Sequence, residues 1–226
     1  FEDQYKPLGL NKEMPVNNLG CILSISNNVD TLTNFFSIGL QPTGSRDPLG
    51  IRRAANSLIN IMWNKCDNLS FRNIFYLVDK NNFKSFDTLK SNLNSFLIER
   101  LKNYLLDQGY KSDKISSITL SNDIEEKSFS WIKKNIENLE KFLVTDIGKK
   151  FISNFKRIEN ITKKSKMCNS VNKVRRSKLV RQEELDFYNF LLKLRNLIKK
   201  KNLDEFDKLF FKIAEEFNVL NKTCFE

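Results

Sequence analysis

Eight basic residues fall between positions 162 and 181 with no acid among them: Lys163, Lys164, Lys166, Lys173, Arg175, Arg176, Lys178 and Arg181. Just upstream, Lys156 and Arg157 stand side by side next to the apolar pair Phe155 and Ile158. Clustered cations without a local anion attract a phosphate backbone, and binding through them releases counterions. The same residues also read as a solvated connection between helices and a solubilising pair on a helix face. Their place in the fold has to decide between contact and solubility.

Other constellations carry less chemistry. Glu125-Glu126, Glu183-Glu184 and Glu215-Glu216 are paired carboxylates, but each falls on or near the exposed face of a predicted helix without a cleft signature, so solvated faces are expected. Gly39 and Gly44 have the separation of a phosphate-binding loop, yet Ser45-Arg46 replaces Lys-Ser/Thr and a helix, not a strand, precedes them. An interhelical turn is the expected reading. The chain has no histidine, which removes Ser-His-Asp and Cys-His catalysis, His-ligated zinc and a histidine general base. Cys21, Cys66, Cys168 and Cys224 lie far apart with no C-x-x-C spacing, and free, mostly buried thiols of a cytosolic protein are expected rather than disulfides.

The elements that must position the basic residues are helical. The 226 residues carry a net charge of +11, with 40% hydrophobic and 29% charged residues, enough apolar material for one or two domains with real cores. Lys, Asn, Ile and Phe are all heavily used, as in genomes low in G and C, so part of the positive charge reflects codon bias. Only 7 Gly and 4 Pro interrupt the chain, which disfavours a turn-dense sandwich or barrel. No apolar run is long enough for a membrane span, and no charged-then-apolar leader opens the sequence. The irregular opening from Phe1 to Pro7, without an initiator Met, reads as the middle of a longer chain.

Apolar residues recur at three- and four-residue steps almost end to end. Leu19, Ile22, Leu23, Ile25, Val29, Leu32, Phe35 and Phe36 form the first stripe, stopped at Gly39. Asp47 and Pro48 are a natural N-cap and first position for a second helix carrying Ile51, Ala54, Ala55, Leu58 and Met62. Ser70 caps a short helix with Ile74, Phe75 and Val78. Leu89 to Leu105 make a long stripe ending at Gly109. Phe129 to Leu143, Ile147-Phe151-Phe155-Ile158, Phe187-Leu191-Leu194-Ile198 and Phe206-Phe210-Ile213-Phe217-Leu220 complete the series. The chain is therefore predicted to be all-α, with a polar hinge at 79–86. Most of the 19 phenylalanines are expected in the core.

The segment Leu32 to Ala55 resembles the signature of the beta subunit of bacterial glycyl-tRNA synthetase of the heterotetrameric type. Asp30-Thr31-Leu32, Ile38-Gly39, Pro42-Thr43-Gly44-Ser45-Arg46-Asp47-Pro48 and Ile51-Arg52-Arg53-Ala54-Ala55 match it in order. Downstream, Phe96-Leu97-Ile98-Glu99-Arg100-Leu101 with Gln108-Gly109-Tyr110, and Lys156-Arg157-Ile158 with Asn160-Ile161, resemble further family motifs. The likeness covers essentially the whole chain and is looser after Lys163.

The resemblance implies the end of an HD-like helical domain over residues 1–84. A DALR-type helical-bundle anticodon-binding domain over 85–226 follows, short of the family's final helix. It implies that the alpha subunit carries the class II core and uses ATP and Mg to activate glycine, with no cofactor on this part; no class II motif appears here. Implied partners are glycine tRNA, the alpha subunit and a second beta subunit, in the cytoplasm and away from membranes. Arg100, Lys156 and Arg157 are expected at the anticodon arm, and Lys163, Lys164, Arg175 and Arg176 at phosphates. Glycine anticodons end in two cytosines, whose edges polar and basic side chains can read while aromatics stack on unpaired bases. Arg52 and Arg53 are expected to pair with acids structurally. Two departures stand out: Asn27 replaces an HD-type metal aspartate, and Phe155 stands where the family often has Asn. The rival readings are an HD-type phosphohydrolase, which lacks its His-Asp ligands here, and an assembly module that binds other subunits without touching RNA.

Overall fold

The computed structural model describes residues 2–7, 13–42, 47, 49–78, 86–121, 123–164, 179–199 and 212–219. The chain divides into two compact units, Phe1–Glu137 and Asn138–Glu226. Among the described residues every regular element is a helix, and the all-α expectation holds. The 84/85 boundary implied by the resemblance falls inside the first unit, and positions 79–85 of the expected hinge and 165–178 of the basic stretch lie outside the described residues.

In the first unit, α1 (Asn18–Ser37), α2 (Ile51–Asn64) and α4 (Phe86–Asp107) pack on one another. Leu32, Leu58, Met62, Leu97 and Leu101 are sealed between them. The start of α1 is fixed by Asn17, whose side chain accepts the Gly20 N–H at 2.8 Å. Its end follows from Gly39 at φ +77: the Gly39 N–H donates to the Phe36 carbonyl and the Leu40 N–H to the Phe35 carbonyl, which satisfies the last-turn acceptors. The same pair of bonds recurs at Gly109 and Tyr110 at the end of α4, as the glycine spacing predicts. Ser70 caps α3 (Phe71–Leu77) through a reciprocal box with Asn73.

Three expectations are corrected. Leu19, Ile22 and Leu23 are 65%, 60% and 39% exposed. The buried edge of α1 runs instead through Cys21, Ser24, Ile25, Asn28, Leu32 and Phe36, so polar Ser24 and Asn28 displace the apolar residues from the seam. Second, α2 begins at Ile51, with left-handed Gly50 at its N-cap, not at Asp47 and Pro48. Asp47 acts from outside: its carboxylate accepts the Arg53 N–H at 3.2 Å and lies 3.9 Å from the Arg53 Nε, the structural pairing foreseen for Arg53. Third, α5 (Ser112–Thr119) was not foreseen, since its eight residues hold too few apolar positions to show a period.

Glu126 is exposed as expected, while Glu125 is half-buried, and both are engaged in contacts with other elements. They occupy a 3₁₀ turn (Ile124–Glu126), where Glu125 accepts from Asn94 at 2.7 Å and lies 3.6 Å from Lys90, while Glu126 accepts from Arg72 at 2.8 Å. Cys21 and Cys66 are free thiols.

The second unit comprises the end of α6 (Phe129–Val144), then α7 (Asp146–Lys164), α8 (Gln182–Lys199) and helical residues 212–219. Phe142, Phe190, Ile213 and Phe217 are buried, with Phe151, Ile158 and Phe187 against them. On α8 the buried aromatic is Phe190, while Leu191, expected in the core stripe, is 45% exposed. Phe206, Phe210 and Leu220 of the last expected stripe lie outside the described residues.

Candidate nucleic-acid interface

α7 is built to hold one face inward and one outward. Thr145 caps it, since its hydroxyl accepts the Gly148 N–H at 3.1 Å and donates to the Phe142 carbonyl at 2.6 Å. The turn from α6 is tight enough to demand glycine: a Cβ on Gly148 would lie 2.1 Å from the Phe142 carbonyl oxygen. Phe151 turns inward, its ring 5.1 Å from Phe217 and 6.0 Å from Phe142. The Asn154 amide donates to the Asn218 side chain at 2.8 Å, and Asn218 donates in turn to the Ile147 carbonyl at 3.2 Å. These bonds lock the inner face of α7 against residues 212–219.

The outer face is cationic. Lys149, Lys156 and Lys163 recur every seven residues, two turns apart, and so form one line about 21 Å long at 1.5 Å per residue. Lys150 and Arg157 flank that line, and all five side chains are exposed. Lys149 lies 3.8 Å from Asp146 and Lys163 2.6 Å from Glu159. Lys156, between them, makes no ion pair among the described residues. Exposed pairs of this kind are worth little and exchange readily for a phosphate.

The structure thus brings Lys156, Arg157 and Lys163 together on one helix and sets Lys164 at its last residue. Arg175 and Arg176 lie outside the described residues. Arg100 belongs to the first unit, on α4, where its side chain is 15% exposed, pairs with Glu99 and lies over the Phe96 ring at 5.6 Å. Its Nε is buried without a partner. Sequence reasoning missed Lys149 and Lys150, although their seven-residue spacing from Lys156 and Arg157 was the available signal. It also placed Phe155 in the core, whereas that ring is 54% exposed.

Asn27, expected from the resemblance to replace a metal aspartate, sits on the exposed side of α1. Among the described residues, no three His, Cys, Asp or Glu side chains converge as a metal site. No helix among them is long and apolar enough to cross a membrane.

The family model described as glycyl-tRNA synthetase beta subunit matches residues 1–120, more than half of the chain. The chain belongs to the glycyl-tRNA synthetase beta subunit family. A glycine–tRNA ligase beta subunit of Thermodesulfovibrio yellowstonii is 32% identical over 163 residues, covering 72% of this chain and 23% of its own length. Those of Lawsonia intracellularis and Rickettsia prowazekii are 33% and 32% identical over 171 and 173 residues, covering 72% and 76% of this chain. The chain spans about a quarter of the length of these curated relatives. The match to the beta subunit model includes Arg100 and ends before α7.

Proposed function

We propose that this chain is the tRNA-recognition part of a glycine–tRNA ligase beta subunit, which docks glycine tRNA and its anticodon arm in the cytoplasm. In this reading the alpha subunit carries ATP- and Mg-dependent glycine activation and transfer, and this part needs no cofactor. Residues 1–84 close an HD-like helical domain and 85–226 form most of a DALR-type anticodon domain. The observation that carries the reading is the cationic line on α7, where Lys156 stands unpaired among the described residues beside Arg157. Lys163 and Lys164 at the end of α7 serve as phosphate contacts in this reading, Arg175 and Arg176 are proposed as further ones, and Arg100 on α4 adds a contact once its guanidinium exchanges Glu99 for RNA.

The test is binding of glycine tRNA to the complete enzyme, alpha subunit included, as salt is raised. Affinity that falls with salt in the wild type, and falls less steeply once the α7 cations are removed, is the expected result. Affinity and slope indifferent to those cations would refute it.

The assembly reading draws on the first unit. Val16, Leu19 and Ile22 are 79%, 65% and 60% exposed around the start of α1, an apolar face suited to another protein surface. Loss of alpha-subunit association in Leu19→Glu with Ile22→Glu, at unchanged fold, would support it; unchanged association would remove it.

A further inference from the structure

We infer that Phe155 is a stacking platform for an unpaired nucleobase, a role that rests on the tRNA reading above and names how one base is held. Among the described residues of the second unit, Phe155 is the one exposed aromatic, at 54%. A scattered surface phenylalanine is ordinary; this one has a second ring behind it. Its ring lies 6.3 Å from that of Phe151 with only 23° between the planes, an offset near-parallel arrangement in which Phe151 supports it from one side while 54% of the residue stays open to solvent. Phe151 is itself held between Phe142 and Phe217, which braces the platform from below and lowers the ordering cost of binding.

The neighbourhood is that of a nucleotide, not of a protein surface. The next two residues are the exposed cations Lys156 and Arg157, and the nearest acid one turn on, Glu159, is drawn towards Lys163 at 2.6 Å. On α7 itself the apolar neighbours Phe151, Ile152 and Ile158 are half-buried, so Phe155 does not continue into an exposed apolar stripe with them. Instead, a base laid on the ring puts its own phosphates beside Lys156 and Arg157, the combination of stacking face and cationic track that grips single strands. Every base has such a face, so Phe155 holds a base without reading its identity.

The experiment uses the complete enzyme with its alpha subunit and glycine tRNA carrying 2-aminopurine in the anticodon loop. Phe155→Leu keeps the apolar bulk and removes the ring. It is expected to weaken binding about 5- to 150-fold, as loss of one base–aromatic stack does, with the salt slope unchanged and the 2-aminopurine quenching lost. Phe155→Trp should bind at least as well as wild type. Wild-type affinity and quenching in Phe155→Leu, while Lys156→Ala with Arg157→Ala still flattens the slope, would overturn the platform and leave the RNA reading standing. Silence in both variants would overturn both. A Trp variant as weak as the Leu variant, or a Leu variant that loses the alpha subunit and not the RNA, would also overturn it.

Discussion

The Asn28 side-chain amide on α1 lies 3.2 Å from the Ser57 hydroxyl oxygen on α2 and 2.8 Å from the Ser24 carbonyl, so one buried nitrogen ties two helices. All three residues are buried. An amide here fixes the register of α1 on α2, because sliding either helix would strand its donors away from water. Asn28→Ala should cost about 1–3 kcal/mol in chemical denaturation, the range for leaving buried polar partners unsatisfied. A double-mutant cycle with Ser57→Ala should show coupling above about 0.5 kcal/mol. Strict additivity would mean that the two residues act separately.

Gly148 is predicted to be irreplaceable. A methyl at this position meets the Phe142 carbonyl oxygen at 2.1 Å, and the obstacle is backbone, which has no rotamer to yield. Gly148→Ala should destabilise the second unit by about 1–3 kcal/mol or more, as overpacking does. Far-UV circular dichroism during thermal melting reads it directly. An unchanged melting curve would show that the α6–α7 turn can open.

The helical character and most helix ends were legible because local rules govern them: Gly39, Gly109 and Ser70 act through backbone geometry and caps within a few residues. The α1 seam was not legible, since nothing local tells Leu19 and Ile22 from Ile25, and the buried polar groups find partners far away in sequence: Asn28 at Ser57, 29 positions on, and Ser24 at the Lys6 carbonyl, 18 positions back. The start of α2 shows a mixture. Asp47 has the residue type and position of a cap, and its carboxylate does hold the Arg53 amide, but Gly50 turns the chain. For the candidate site, adjacency exposed Lys156-Arg157. The stack of Phe155 on Phe151 needs Phe217 and Phe142 behind it, and no spacing rule contains them.

Acid should reveal the Asp123–Lys127 pair. The ammonium of Lys127 at 2.8 Å, and then the Ser121 hydroxyl, hold the Asp123 carboxyl down at about 2. A depressed carboxylate stabilises the fold above its unfolded value, near 4, and that contribution is lost as pH falls through about 2. The Asp123 side chain is 37% exposed, so solvent screens the gain to under about 1 kcal/mol. Urea midpoints of wild type and Asp123→Asn should differ at pH 7 and converge between pH 4 and 2. A gap that persists at pH 2 would assign the effect to packing.

Cys66 should react sluggishly with alkylating reagents. Burial first, and then neighbouring Cys21, push its thiol above the ordinary range, and the thiolate is the reactive form. At pH 8 iodoacetamide should label Cys66 well below the rate of a free cysteine, with the rate still climbing above pH 9. Peptide mapping by mass spectrometry separates it from the other three cysteines. Labelling at the rate of free cysteine would show that the site opens.

The last prediction concerns the cationic line itself. Lys156→Ala with Arg157→Ala removes two exposed charges from the middle of α7 and leaves its inner face, Phe151, Asn154 and Ile158, untouched. Stability should therefore stay within about 0.5 kcal/mol of wild type, as for surface substitutions. RNA binding should not. Each phosphate contact contributes about −0.9 to the log-log salt slope on a duplex and about −0.7 on a single strand, so losing two should flatten it by roughly 1.4 to 1.8 units. If the pair only touches phosphates, glycine tRNA and a tRNA with another anticodon weaken equally. If either side chain also reads a base edge, glycine tRNA loses a further 1–3 kcal/mol or so and the other tRNA does not. Titrating both tRNAs against the complete enzyme from low to high salt separates the two cases. An unchanged slope for both would leave Lys156 and Arg157 as a solvated helix face and move the search for the RNA contact to other surfaces of the molecule.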